Sequence, residues 1–237
     1  MIVVLSPTKK QRHRTQHAYT QPLFLFQAQK ILELLQSKSH QELKALFKIS
    51  DKLTASTYDL IHDNHITPAL YLYEGEAFKA LNPQTFTQET LDYANDHCRI
   101  FSSVYGLLRP MDGIQSYRLD FLTPFELNLK ELWSGIVTES LNSLNAPIIN
   151  CASKEFSQLM NRKQISNPIY DIEFLTKKAD QPPKILSTHS KHARGLFTRY
   201  ILENQITTLE GIIQFNLDGY QYTQTHMNTI QFVKEVQ

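Results

Sequence analysis

Residues 99–120 read RIFSSVYGLLRPMDGIQSYRLD. Ile100 through Tyr105 is an apolar run that predicts a buried strand. Gly106, Pro110, Asp112 and Gly113 then supply turn chemistry, so the strand is expected to feed a loop. Arg99, Arg109, Arg118, Tyr105 and Tyr117 lie along the stretch. A guanidinium is a planar fork that matches phosphate or carboxylate. Arginines on a loop after a buried strand therefore point to anion recognition. The alternative is that they cap and bridge the fold locally.

Working outward, Ile2–Leu5 reads as a short buried strand ended by Ser6-Pro7. Lys9-Lys10-Gln11-Arg12-His13-Arg14 follows, with four positive charges and no acid. Its place after a strand matters because ligands in α/β folds gather at strand C-terminal ends. Pro22 opens an expected helix to Gln36, with Leu23, Phe26, Ile31, Leu34 and Leu35 as its apolar stripe. Ser39-His40-Gln41-Glu42 is a capping box, with Leu43, Leu46, Phe47 and Ile49 facing inward, and Ser50 caps a third helix. Ala69–Tyr73 reads as a strand and Thr87–Cys98 as an amphipathic helix. Leu129–Leu144 is a helix with Trp133 in the core. Ala146–Cys151 is a strand, after which Ser153 caps a helix carrying Glu155 in its first turn. Ile172–Thr176 and Ile185–Thr188 read as strands, His189–Asn204 as a helix, and Tyr220–Thr223 as a partner of Thr229–Val233. The alternation predicts a mixed α/β (α+β) fold, one domain over residues 1–237 with a central mixed sheet surrounded by helices. A boundary near Pro68 is the alternative.

Composition narrows the class. Lys plus Arg is 24 and Asp plus Glu is 23, so no global basic field advertises nucleic acid. Two cysteines, Cys98 and Cys151, with no CxxC exclude a disulfide scaffold and a Cys-rich zinc site as leading readings. No apolar run is long enough to span a membrane. The N-terminus places apolar residues before basic ones, the reverse of a signal peptide, so a reducing cytoplasm is expected.

The segment from Lys184 to Arg199 carries four cations, His189 and His192, and no acid. Lys191 and Arg194 are three apart and share a helix face. Cations near a helix N-terminus oppose its dipole unless an anion offsets them. His62/His65 and His189/His192 have i, i+3 spacing but no carboxylate or cysteine partner at motif spacing, so neither a metal nor a cofactor is expected. Cys151 at a strand–helix junction is in a setting that lowers a thiol pKa, although a buried apolar cysteine is the plainer reading. No GxSxG, Walker loop, dinucleotide GxGxxG or HExxH is present, so no motif fixes a reaction.

Residues 99–120 resemble the central signature of the YaaA family of bacterial peroxide-stress proteins. Ser6-Pro7-Thr8-Lys9 is similar to that family's Ser-Pro-Ala-Lys, and Pro68-Ala69 through Gly75 to its Pro-Ala…Gly segment. Asn150-Cys151-Ala152-Ser153-Lys154-Glu155 resembles Asn-Leu-Ala-Ser-x-Glu, and Lys191-His192-Ala193-Arg194-Gly195 resembles Lys-Lys-Ala-Arg-Gly. Gly219-Tyr220 matches near the end. The resemblance implies the family's unusual α/β fold and a cytoplasmic role in the hydrogen-peroxide response. It also implies limitation of free intracellular iron and DNA binding through a positively charged cleft, with catalysis no part of that picture. His192 replaces a lysine, which weakens the patch, and Cys151 replaces a leucine, which argues against a family-wide thiol role. Ser116 and Phe121-Leu122 also depart from the commoner residues.

Two functions compete. In the first, Lys9, Arg109, Arg118, Lys191 and Arg194 line one cleft and contact the phosphates of double-stranded or distorted DNA, while Tyr105 or Tyr117 stacks on unpaired bases. In the second, the same cations hold a small phosphorylated or nucleotide substrate while Tyr117, Asp120 or Glu155 performs acid–base work. The second requires a pocket of a few hundred Å³, where the first requires a broad open groove. Direct iron sequestration is the least supported, for want of a ligand motif.

Overall fold

An uninterrupted apolar run suits a strand covered on both faces, and Ile2–Leu5 (β1) is buried along its whole length near the middle of the sheet. The computed structural model describes residues 1–13, 17–179 and 181–236, so Arg14 of the basic run lies outside the described residues. The other strands are β2 (Thr67–Pro68), β3 (Cys98–Ser102), β4 (Gly106–Leu108), β5 (Gly113–Ile114), β6 (Ile148–Asn150), β7 (Ile169–Lys178), β8 (Tyr220–His226) and β9 (Thr229–Val236). The helices are α1 (Leu25–Gln36), α2 (His40–Phe47), α3 (Asp51–His62), α4 (Ala69–Leu72), α5 (Glu76–Leu81), α6 (Gln88–His97), α7 (Leu129–Asn142), α8 (Lys154–Ser157), α9 (Ser187–Glu203) and α10 (Leu209–Ile213). None is long and apolar enough to cross a membrane.

Seven strands form one sheet in the order β4-β3-β1-β6-β7-β9-β8, while β2 and β5 pair separately. The inner five are parallel and the two edges antiparallel. This is the mixed α/β domain expected. From β1 the chain crosses to β3 on one side, and it later returns to β6 on the other. The loops leaving β1 and β6 therefore diverge, which makes the crevice between them a topological switch point.

Local signals shape several helices as expected. Ser39 and Glu42 exchange the two hydrogen bonds of a capping box. Ser50 and Thr87 cap α3 and α6. In α1 the buried set is Ala28, Ile31, Leu32 and Leu35, an i, i+3, i+4, i+7 face, and Leu23 and Phe26 are exposed instead of inward.

Three segments depart from expectation. The run Ile100–Tyr105 is not one strand. It is the first arm and turn of a hairpin in which β3 pairs antiparallel with β4. Gly106 takes φ +70° at that turn, and a Cβ there would meet the Trp133 ring at 2.4 Å. Ala69–Tyr73 is a buried helical turn, not a strand. Ala69 and Leu70 donate their N–H groups to the carbonyls of Asp112 and Pro110, so the 110–112 loop satisfies the backbone a sheet would have served. Ile185–Thr188 is not a strand either. Pro182 and Pro183 have no N–H to give a ladder, only Lys184 bridges Thr176, and α9 begins at Ser187. Lys191 and Arg194 therefore lie one and two turns inside α9, and the expected opposition to the helix dipole is weaker.

Trp133 is fully buried and donates its Nε1–H to Ser103 O at 2.9 Å. On the far side of the sheet, Phe174, Phe197, Phe215 and Phe232 pack ring against ring under α9.

Candidate functional site at the switch point

The loop after β1 (residues 6–11) and the segment after β6 (residues 151–156) form opposite walls of a cleft of about 600 Å³. Ser153 N–H donates to Ser6 Oγ at 2.8 Å, and Ser6 Oγ donates to Ser153 Oγ at 3.2 Å, so the walls are clipped at their base. Residues 117–122, the start of α5 and one face of α9 complete the enclosure. Leu5, Phe78, Leu119 and Phe156 supply apolar surface. Gly75 sits so close to Thr8 that a Cβ would lie 2.5 Å from Thr8 Oγ1.

The charges in the cleft are balanced: Lys9, Lys10, Lys191 and Arg194 against Glu74, Glu76, Asp120 and Glu155. Most are already engaged. Lys10 pairs with Glu74 at 3.2 Å. Asp120 Oδ1 accepts from Leu122 N, Thr123 N and Thr123 Oγ1 at 3.2, 2.8 and 2.6 Å, and Oδ2 pairs with Lys9 Nζ. Burial alone would raise the Asp120 pKa, but the hydrogen bonds from Lys9 and Thr123 and the Lys9 charge hold it below the usual range. Glu155 is pushed the other way. Its burial and the neighbouring Asp120 charge raise its pKa, against the opposing pull of the Phe121 N–H and Lys9. Phe121 N–H donates to Glu155 Oε1 at 3.2 Å.

Arg194 carries an unsatisfied donor. Its Nε is buried with no hydrogen-bond partner among the described residues, and burial pulls its pKa down against the opposing charge of Glu173. Cys151 beneath it is fully buried and its thiol is pushed up to about 12, so it is no thiolate at neutral pH.

The sequence matches the family model for peroxide stress protein YaaA over residues 1–226. The chain belongs to this family. Among its relatives are UPF0246 proteins from Francisella tularensis subsp. tularensis (strain WY96-3418) and subsp. novicida (strain U112). Each is 35% identical, with 94% of either chain covered. One from Francisella philomiragia subsp. philomiragia is 34% identical over the same share. In this YaaA-family chain the two segments flanking the crevice, Ser6–Lys9 and Asn150–Glu155, are ones that carried the resemblance.

Of the candidate residues, Lys9, Tyr117, Lys191 and Arg194 meet in the cleft, and Arg109 and Arg118 are not in its lining. Tyr117 is 2% exposed and offers almost no face for stacking. Its hydroxyl sits between those of Tyr73 and Ser102, each 2.7 Å away, and its pKa is pushed up to about 12 by burial. Tyr105 is likewise buried, its hydroxyl accepting from Gln115 N. Arg109 ties its loop together. It reaches Asp112 Oδ1 through Nη2 at 2.9 Å and Gln21 O at 3.1 Å, and Asp112 also accepts from Thr20 Oγ1. Arg109→Gln is expected to cost about 1–3 kcal/mol in urea denaturation, because Asp112 keeps its burial and loses its counter-charge. Ligand affinity of the refolded variant should be unchanged. Arg118 is half-buried. Arg99 donates to the carbonyls of Asn95, Asp96 and Cys98 at the end of α6, a structural use.

The histidine pairs are separated by their partners. His62 is held between Tyr58 O and Gln36 O, His65 pairs with Asp63, and His189 reaches Thr176. Among the described residues no group of three or more His, Cys, Asp or Glu side chains is placed to hold a metal ion. Ser6, Ser153, Glu74 and Glu76 are cleft residues that sequence reading did not nominate. The position of Ser6 and Ser153 just past strand ends was the available signal.

Proposed function

We propose that this peroxide-stress family chain acts through the switch-point cleft on a small phosphorylated or nucleotide ligand. The observation that carries this reading is the pairing pattern: Lys9 and Lys10 are held by Asp120 and Glu74, which leaves Lys191 and Arg194 to take one anionic group. A polyanionic strand laid along the cleft would meet four carboxylates. The volume is within the range of small-molecule sites, and two carboxylates with oppositely shifted pKa values suit proton transfer.

DNA binding is the second reading, favoured by the exposed side chains of Lys9 and Lys10 in the cleft lining and of Arg12 two residues on. Double-stranded or distorted DNA would then enter as a strand end or an unpaired nucleotide. The limitation of free iron and oxidative damage and a cytoplasmic location belong to the proposal on either reading.

Calorimetric titration with inorganic phosphate and AMP, beside duplex and single-stranded oligonucleotides over a salt series, tests both. The first reading expects AMP to bind with a shallow salt dependence. The second expects log affinity for duplex to fall with a slope of about −0.9 per phosphate contacted. AMP failing to bind while oligonucleotides bind with a steep slope would overturn the first.

A further inference from the structure

The four carboxylates of the cleft are not equivalent. Glu74 is held by Lys10 and Arg12 at 3.2 and 3.9 Å, and Glu76 by Lys79 at 3.0 Å. Asp120 is saturated by three donors on one oxygen and Lys9 on the other. Glu155 receives a single backbone N–H on Oε1, and its Oε2 has no hydrogen-bond or ion-pair partner among the described residues. It lies in the first turn of the very short α8 and lines the cleft.

The free cations count as clearly as the free carboxylate. Lys191 and Arg194 together carry two positive charges, which match one phosphate monoester dianion. A triphosphate would bring roughly twice that charge into a space where Asp120 is already ionised. The apolar wall of Leu5, Phe78 and Phe156 suits a flat, weakly polar body between the two poles.

We propose that the ligand is a nucleoside monophosphate, with its phosphate on Arg194 and Lys191, and that Glu155 is the residue that exchanges a proton with it. Oε2 of Glu155 donates to a ring nitrogen or carbonyl oxygen of the base when protonated, and the proton comes from solvent as the ligand seats. Asp120 and Lys9 are positioning residues: they hold the 120–123 turn from which Phe121 N–H fixes the Glu155 carboxyl. The upward shift of the Glu155 pKa by burial and by Asp120 agrees with this division. The charged groups facing Glu155 are Asp120 and Lys9, and Asp120, held below the usual carboxylate range, stays ionised between pH 5 and 8.

This inference rests on the small-ligand reading, and the experiment separates the two. Wild type and Glu155→Gln are titrated calorimetrically with inorganic phosphate, AMP and ATP from pH 5 to 8, in buffers of different ionisation enthalpy. Glutamine preserves the shape and the acceptor for Phe121 N–H, and a thermal melt confirms that the variant folds. AMP is expected to bind wild type more tightly than phosphate or ATP does. Binding should take up protons, and affinity should fall with rising pH by up to about tenfold per unit more steeply than for Glu155→Gln. Taking the difference between the two proteins removes the titration of the phosphate itself. Identical pH profiles, or ATP binding more tightly than AMP, would overturn the inference and leave the small-ligand reading standing. No binding of phosphate or AMP to wild type at any pH would sink both.

Discussion

Arg194→Met is expected to melt a few degrees above wild type while losing roughly 100-fold in affinity for AMP. The two effects have one cause. Arg194 is half-buried in the cleft wall, its Nε is buried without a hydrogen-bond partner among the described residues, and burial already pulls its pKa down. A buried donor left unsatisfied costs about 1–3 kcal/mol, and an apolar side chain of similar reach removes that cost. The same unsatisfied donor is what an incoming phosphate would complete, so its removal costs a charge-assisted, forked contact. Thermal melts with and without AMP measure both quantities. The ligand-induced rise in melting temperature should vanish in the variant even as its baseline rises. A lowered baseline would show that the field of Glu173 makes Arg194 a structural ion, and an unchanged AMP affinity would remove it from the binding site.

The largest loss of stability is expected from the next residue. A Cβ at Gly195 would lie 2.0 Å from the carbonyl oxygen of Ala77 and 2.8 Å from Ala80 Cβ. The first obstacle is backbone, so no side-chain rotation relieves it, and α9 must move off α5. Gly195→Ala is expected to cost about 3 kcal/mol or more in urea denaturation. Because α5 and α9 each carry a wall of the cleft, AMP affinity should fall with it. Gly135 in α7 is the control: beyond its own helix backbone, no heavy atom of the described residues lies within 4 Å of its would-be Cβ. Gly135→Ala should be neutral or stabilise by up to about 1 kcal/mol through helix propensity. Equal effects at the two positions would mean that the close approach of α5 and α9 is not needed for the fold.

Much of the framework was legible because its signals are local. The capping box at Ser39, the cap at Ser50, the apolar run of β1 and the terminal hairpin of β8 and β9 all depend on residues close together along the chain. Ala69–Tyr73 and Ile185–Thr188 were not legible. A four- or five-residue apolar run has the same pattern in a strand and in a buried helical turn, and distant partners decide between them. For Ala69 and Leu70 those partners are carbonyls about forty residues on.

The site divides in the same way. By itself the sequence determined that Lys191 and Arg194 share one helix face, that a basic run follows the first strand, and that Ser153 and Glu155 follow another strand. Those are matters of spacing along the chain. Only the tertiary structure decided which charges remain available. Lys9 is held by Asp120 from 111 residues away, Arg109 is anchored to Gln21, and Arg194 in the cleft wall keeps an Nε without a partner among the described residues. An ionic side chain's role depends on its distance to opposite charges and on the water removed around it, and neither quantity is written in sequence order.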